Sequence, residues 1–180
     1  EVQDELADMA KRNVRINGLE GKVDVLQGDV NTIETLVGPG EFDVVVFNPP
    51  YRKIKSGRIN PDQQKAVARH EIKATIADFV AAASYALRKS GRVSIIYPAA
   101  RMVELIARMR AAHLEPKRLQ MVHSHKMSGG EFVLIEGIKD GGEELEIMPP
   151  VFIYESRGVY TKDVADLLSG LSFFPESGAG

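Results

Sequence analysis

The sequence contains no cysteine, which excludes disulfides and thiolate metal sites and leaves the redox compartment open. Its four histidines, His70, His113, His123 and His125, fall in no metal-ligand spacing, so no metal is expected. No apolar run approaches the roughly 20 residues that a membrane span needs. No signal-peptide pattern stands in these residues, and a cytoplasmic protein without a membrane partner is expected.

What is present suits a single domain over residues 1–180: 44% of the residues are hydrophobic, enough for a sizeable core. The sequence opens on Glu1, directly before a helical pattern, and is expected to be a piece of a longer polypeptide. Residues 169–180, with glycines at the end, are expected to fray.

The formal net charge of −2 conceals a segregation. Residues 1–47 carry ten acids and four bases, and residues 127–180 carry ten acids and three bases. Residues 52–126 hold sixteen Lys or Arg against five Asp or Glu. Such a block is either a solvated face or a positive surface that captures a polyanion.

Leu6, Met9, Ala10 and Val14 recur at helical spacing over residues 4–17, with Gly18 as a stop. Val23 and Val25 alternate with polar neighbours and predict a short strand ending near Gly28 and Asp29. A strand follows over residues 42–47. Ile76, Phe79, Val80, Ala83 and Leu87 mark a second helix closed by Ser90 and Gly91, residues 92–97 a strand, and Leu105, Ile106, Met109 and Ala112 a third helix. Strands are expected around residues 119–123, 132–138 and 151–154, then a short helix over 162–168. Gly129-Gly130 and Gly141-Gly142 read as hairpin turns. The alternation predicts an α/β fold with a largely parallel sheet and a terminal antiparallel hairpin. Residues 52–73, polar and charged, read as a loop or lid over a site.

The most informative stretch is "FDVVVFNPPY", residues 42–51. Its apolar run shows no polar alternation and reads as a central strand buried on both faces. Neither proline can donate a ladder hydrogen bond, so the chain leaves the sheet at Asn48 in a stiff, extended loop. That places Asn48 and Tyr51 at the carboxyl end of a strand, the edge where open α/β sheets bind ligands.

The side-chain carbonyl of Asn48 and the backbone carbonyl of Pro49 are two acceptors, suited to a group with two N–H bonds. An exocyclic amine on adenine is a poor nucleophile because its lone pair is spread into the ring. Accepting both hydrogens orients the amine and localises that lone pair. Tyr51 suits stacking on the ring that carries the amine, which is worth ~1–3 kcal/mol. The plainer alternative is a rigid turn after a strand.

"NPPY" after an apolar strand resembles the catalytic motif of the class I S-adenosylmethionine-dependent amino-methyltransferases. "NPPYRKIKSGRINPDQQKAVARHEI", "LRKSGRVSIIYP", "EPKRLQMVHSH" and "VLIEGIK" extend the resemblance to the bacterial branch that methylates N6 of an adenine beside the anticodon of a valine tRNA. It implies a Rossmann-like fold that lacks its first strand, since that strand and its glycine-rich loop would precede Glu1. It implies S-adenosylmethionine as cofactor, with Glu1 binding its ribose hydroxyls, Asp29 its adenine amine and Val30 lying against its ring. Asn48, Pro49, Pro50 and Tyr51 match the target-amine motif. Without the family, Glu1 reads equally as a solvated terminal residue and Asp29 as a turn or cap residue.

On the substrate side, Arg52, Lys53, Lys55 and Arg58 are candidate phosphate contacts. Arg69 and His70 in "ARHE" read either as substrate contacts or as a structural pair with Glu71. Single-stranded RNA loops present splayed bases, which suits a stacking tyrosine. The expected partner is therefore RNA, most simply tRNA. The rivals are the glutamine branch of the family, acting on a protein release factor, and a domain that binds RNA without transferring methyl groups.

Overall fold

The computed structural model describes residues 1–50 and 74–170. The expected lid at 52–73, Tyr51 and residues 171–180 of the expected tail lie outside the described residues.

Helix α1 (Asp4–Ile16) carries Asp4 and Glu5 in its first turn, where carboxylates meet the positive end of the helix dipole. It ends as the sequence predicts. Gly18, at φ +64°, donates to the Arg15 carbonyl at 3.1 Å, and Leu19 donates to that of Val14 at 3.0 Å. This pair of bonds closes the helix through a left-handed residue, a conformation that glycine adopts without a Cβ penalty.

The main sheet is built from β1 (Phe42–Phe47), β2 (Leu87–Pro98), β3 (Leu114–His123), β4 (Gly130–Lys139), β5 (Glu146–Ile147) and β6 (Val151–Phe152). Its order is β1-β2-β4-β3-β5, with β6 also paired to β3. The pairings β1 with β2, β3 with β5 and β3 with β6 are parallel, whereas β4 is antiparallel to both its neighbours. Five strands therefore run one way and β4 alone runs back, giving the expected mainly parallel sheet with an antiparallel hairpin. A small hairpin, β7 (Tyr154–Ser156) and β8 (Val159–Tyr160), and helix α4 (Lys162–Leu168) complete the described chain.

Helices α2 (Ile76–Ala86) and α3 (Met102–Ala111) lie on one face of this sheet. Val80 and Ala83 of α2 and Leu105 and Met109 of α3 pack with Val93, Ile95 and Tyr97 of β2 and Val133 and Ile135 of β4. Each such side chain contributes ~1.5–3 kcal/mol when fully buried. Asp78 accepts from the backbone N–H and the hydroxyl of Thr75, at 2.7 and 2.8 Å, and so fixes the start of α2. At its other end the Lys139 ammonium donates to the carbonyls of Ser84 and Leu87, at 2.6 and 2.7 Å. The last residue of β4 thus holds α2 against the sheet. Gly137 marks the closest approach of α3: a Cβ there would stand 2.7 Å from the Met109 methyl and 3.1 Å from the Glu115 carbonyl oxygen.

Several expectations are corrected. Residues 23–25 form no strand. A strand needs a ladder, and here the chain makes a single step of one: the Glu1 amine donates to Leu26 O at 3.0 Å and the Gly28 N–H donates to Glu1 O at 2.9 Å. Strand β1 is not buried on both faces. Among the described residues it pairs only with β2, and its burial alternates, with Val45 and Phe47 half-buried and Val44 and Val46 exposed. Gly141-Gly142 is not a hairpin turn, because β5 pairs with β3 rather than with β4. Strand β3 begins five residues before the expected 119 and contains Pro116, tolerated because the register slips between Pro116 and Arg118.

Candidate active site

The parallel strands end on a common rim. Phe47 of β1, Pro98 of β2 and His123 of β3 lie there, beside Gly130 at the start of β4. This is the edge at which open α/β sheets bind ligands. Asn48 and Pro49 leave the sheet at the β1 end of it.

The ring of Phe47 stacks on Phe79 of α2, with centroids 5.8 Å apart, and so ties the end of β1 to the core. In the loop that follows, Pro49 is buried whereas Asn48 and Pro50 are exposed. The stiff residue is anchored, and the residue before it keeps its exposure. Asn48 borders a hollow of about 490 Å3 that runs across the sheet face opposite α2 and α3. Val46, Ile96 and Leu134 give its floor an apolar lining, Ser94 adds a hydroxyl, and Gln120 and Met148 stand on its far side. There the Gln120 amide donates to the Pro149 carbonyl at 2.9 Å, and Met148 N–H donates to Leu119 O at 2.8 Å, so the second proline pair serves as a wall along β3.

Glu1 and Asp29 come from adjacent segments, held by the single parallel step between Glu1 and residues 26–28 and by a 2.6 Å bond from the Gln27 amide to Asp4. Both carboxylates are exposed. Glu1 Oε1 accepts from Gln3 N–H at 3.0 Å. Asp29 caps the 3-10 helix Val30–Thr35, its Oδ1 accepting from the backbone and side-chain N–H groups of Asn31, each at 2.9 Å. The cap role is thus real, and both of its bonds fall on one carboxylate oxygen. Val30 is half-buried beside it. Arg52, Lys53, Lys55, Arg58, Arg69 and His70 lie outside the described residues.

One group at the rim escaped the sequence reading. Tyr97, 1% exposed, lies under the Arg101 guanidinium, 5.0 Å from ring centroid to Cζ. Arg101 is held in turn by two bonds to the Glu104 carboxylate, at 2.8 and 3.1 Å. Burial pushes the Tyr97 hydroxyl above the usual tyrosine value; Arg101 opposes that shift and Glu104 adds to it. The bonds that Arg101 donates to Glu104 raise its own value as well. The available signal was "IIYP", a buried strand stopped by proline, the same pattern that marks "VVFNPP". Among the described residues no three His, Asp or Glu side chains converge as a metal site would require.

Residues 3–128 match the Eco57I restriction-modification methylase family. The chain belongs to that family. This Eco57I-family chain is 31% identical over 131 residues to the tRNA1(Val) (adenine(37)-N6)-methyltransferase of Porphyromonas gingivalis, covering 63% of this chain and 50% of that protein. It is 31% identical over 98 residues to the protein of the same name from Bacteroides thetaiotaomicron, 54% of this chain and 39% of that one. The chain thus spans about half the length, or less, of the curated relatives it matches. Among solved structures, a predicted O-methyltransferase from Agrobacterium tumefaciens superposes with a TM-score of 0.75 at 19% identity, over 99% of this chain and 79% of its own. A modification subunit of a putative type I restriction enzyme from Vibrio vulnificus gives 0.53 at 14% identity, over 89% of this chain and 35% of its own. These likenesses show the class I methyltransferase fold.

Proposed function

We propose that the chain is the target-recognising part of an S-adenosylmethionine-dependent methyltransferase that modifies N6 of an adenine in RNA, most simply in cytoplasmic tRNA. The observation that carries this reading is Asn48, exposed at the end of β1 beside a 490 Å3 hollow and followed by a buried proline.

The donor set fits the cofactor: an exposed carboxylate at Glu1 for a ribose diol, a second at Asp29 for an exocyclic amine, and the half-buried Val30 for the ring. When bound, the cofactor supplies a methyl group on an electrophilic sulfonium. The chain's own task is to aim the nucleophile. The Asn48 side-chain oxygen and the Pro49 carbonyl accept the two amine hydrogens, and the amine's lone pair is directed away from the loop. Pro49 is buried and fixed in φ, and Pro50 after it restricts its ψ, which together keep its carbonyl from wandering. Tyr51 stacks on the base, and Arg52, Lys53, Lys55 and Arg58, with Arg69 and His70, meet its phosphates. Water takes the proton released after transfer.

The names of the relatives point to tRNA, whereas the family description points to restriction and modification, hence to DNA. Methyl transfer by the intact protein to bulk tRNA, to adenine-containing duplex DNA and to a release factor separates these substrates. Incorporation at adenine N6 of tRNA is expected. Asn48→Ala is expected to cut turnover about a hundredfold or more, with cofactor affinity nearly unchanged. Retained turnover would remove Asn48 from its role.

A further inference from the structure

On the same rim as Asn48, three strand positions away, the end of β3 carries a stack of rings contributed by two separate segments. Tyr154 and Tyr160 are cross-strand partners in the β7–β8 hairpin, with ring centroids 5.2 Å apart and planes within 15°. His125, from the turn between β3 and β4, adds a third ring, tilted by 39° and 5.7 Å from Tyr154. A tyrosine pair that served only to pin a hairpin would need no third ring from elsewhere and would gain by covering its outer face. Tyr160 is instead 45% exposed, and His125 is exposed as well.

The assembly is held rigidly. Ile153 and Tyr154 donate to the carbonyls of His123 and Ser124, at 2.9 and 2.8 Å, so the chain leading into the hairpin is hydrogen-bonded to the end of β3. His123 packs on Phe152 and its Nδ1 meets the Ser128 carbonyl at 2.8 Å, while the Ser128 hydroxyl bridges the backbone of His125. Rings held in this way lose little freedom when a flat ligand lands on them.

We propose that His125, Tyr154 and Tyr160 form a stacking platform for unpaired bases of a single-stranded RNA whose target adenine is held at Asn48. This deepens the methyltransferase reading and rests on its substrate being a nucleic acid. Three strand spacings separate Asn48 from the end of β3, about 15 Å, so the bases stacked there are neighbours of the target in the same strand. The exposed Lys126 and Arg157 flank the rings, but Glu155 is exposed among them. With only one positive charge in excess among these three side chains, recognition here rests on π-faces rather than on phosphates. A duplex would hide those faces, which commits the platform to an unpaired strand.

The test uses the intact protein, a short single-stranded RNA and the same RNA annealed to its complement. The chain has five tyrosines and no tryptophan, so quenching of tyrosine emission reports stacking alongside an independent binding titration. Tyr160→Ala is expected to weaken single-strand binding about fivefold or more, with the salt slope unchanged because no phosphate contact is removed. Tyr160→Phe keeps the ring and should bind as the parent does. His125→Ala reads the same stack without touching the hairpin, should the Tyr160→Ala hairpin lose its register. Parent-like affinity in both alanine variants, equal loss in Tyr160→Phe, or no binding of single strands by the parent would overturn the platform. The two readings fail separately: ring-dependent binding without methyl transfer sinks the enzyme and spares the platform, and tRNA methylation with ring-independent binding does the reverse.

Discussion

On the face of the main sheet that α2 and α3 cover, Val93, Ile95, Tyr97, Val133 and Ile135 are almost sealed from solvent. On the opposite face, Val44 is 47% and Val46 73% exposed, and Leu134 is exposed with them. Both sets are strand residues of the same chemical kind, often adjacent in sequence. Burial is therefore decided by what packs on a face, not by the apolarity of the residues on it. The candidate site exploits the difference: Phe47 and Pro49 turn inward and anchor the corner, while Asn48, of the same parity as Val46, faces the open hollow.

The sharpest break of this contrast is made in the covered layer. Leu105→Ala removes a fully buried side chain from α3 and is expected to cost ~2–5 kcal/mol, read as a lower denaturant midpoint at unchanged slope. Gly137→Ala tests the same layer by crowding it. The new methyl must displace the Met109 methyl and meets the backbone oxygen of Glu115, which cannot swing aside, so a loss of ~1–3 kcal/mol is expected. Next in size is an effect of pH. Because Tyr97 ionises above the ordinary value of 10.0 when folded, it favours the folded state below that value and loses this contribution as pH rises through its folded value. Urea titrations at rising alkaline pH should show stability falling more steeply for the parent than for Tyr97→Phe.

Much of this layout was legible in the sequence, because periodicity reports what a helix or strand is made of. The bounds of α4 and the stop of α1 at Gly18 follow directly from it. The exit of the chain at Asn48 was legible because two prolines cannot continue a ladder. What periodicity cannot report is the partner. The run 42–47 reads as doubly buried whichever elements flank it, and Val23 with Val25 alternates like a strand whether or not a neighbour supplies hydrogen bonds. The ring stack of His125 and the two tyrosines was hidden for the same reason: its members lie 29 and 6 residues apart and meet only because β6 returns to the end of β3.

The smallest effect makes the most exacting comparison. Val46→Thr and Val93→Thr are the same exchange of a methyl for a hydroxyl, at a nearly constant shape and with β-propensity kept. On the covered face the hydroxyl enters a dry layer, and Val93→Thr is expected to cost ~1–3 kcal/mol. On the open face it meets water, and Val46→Thr is expected to stay within about 0.5 kcal/mol. Denaturant midpoints of the two variants, measured side by side on the chain described here, decide the matter. Equal losses would mean that the face beside Asn48 is closed in solution and that the hollow there is not open to an incoming base.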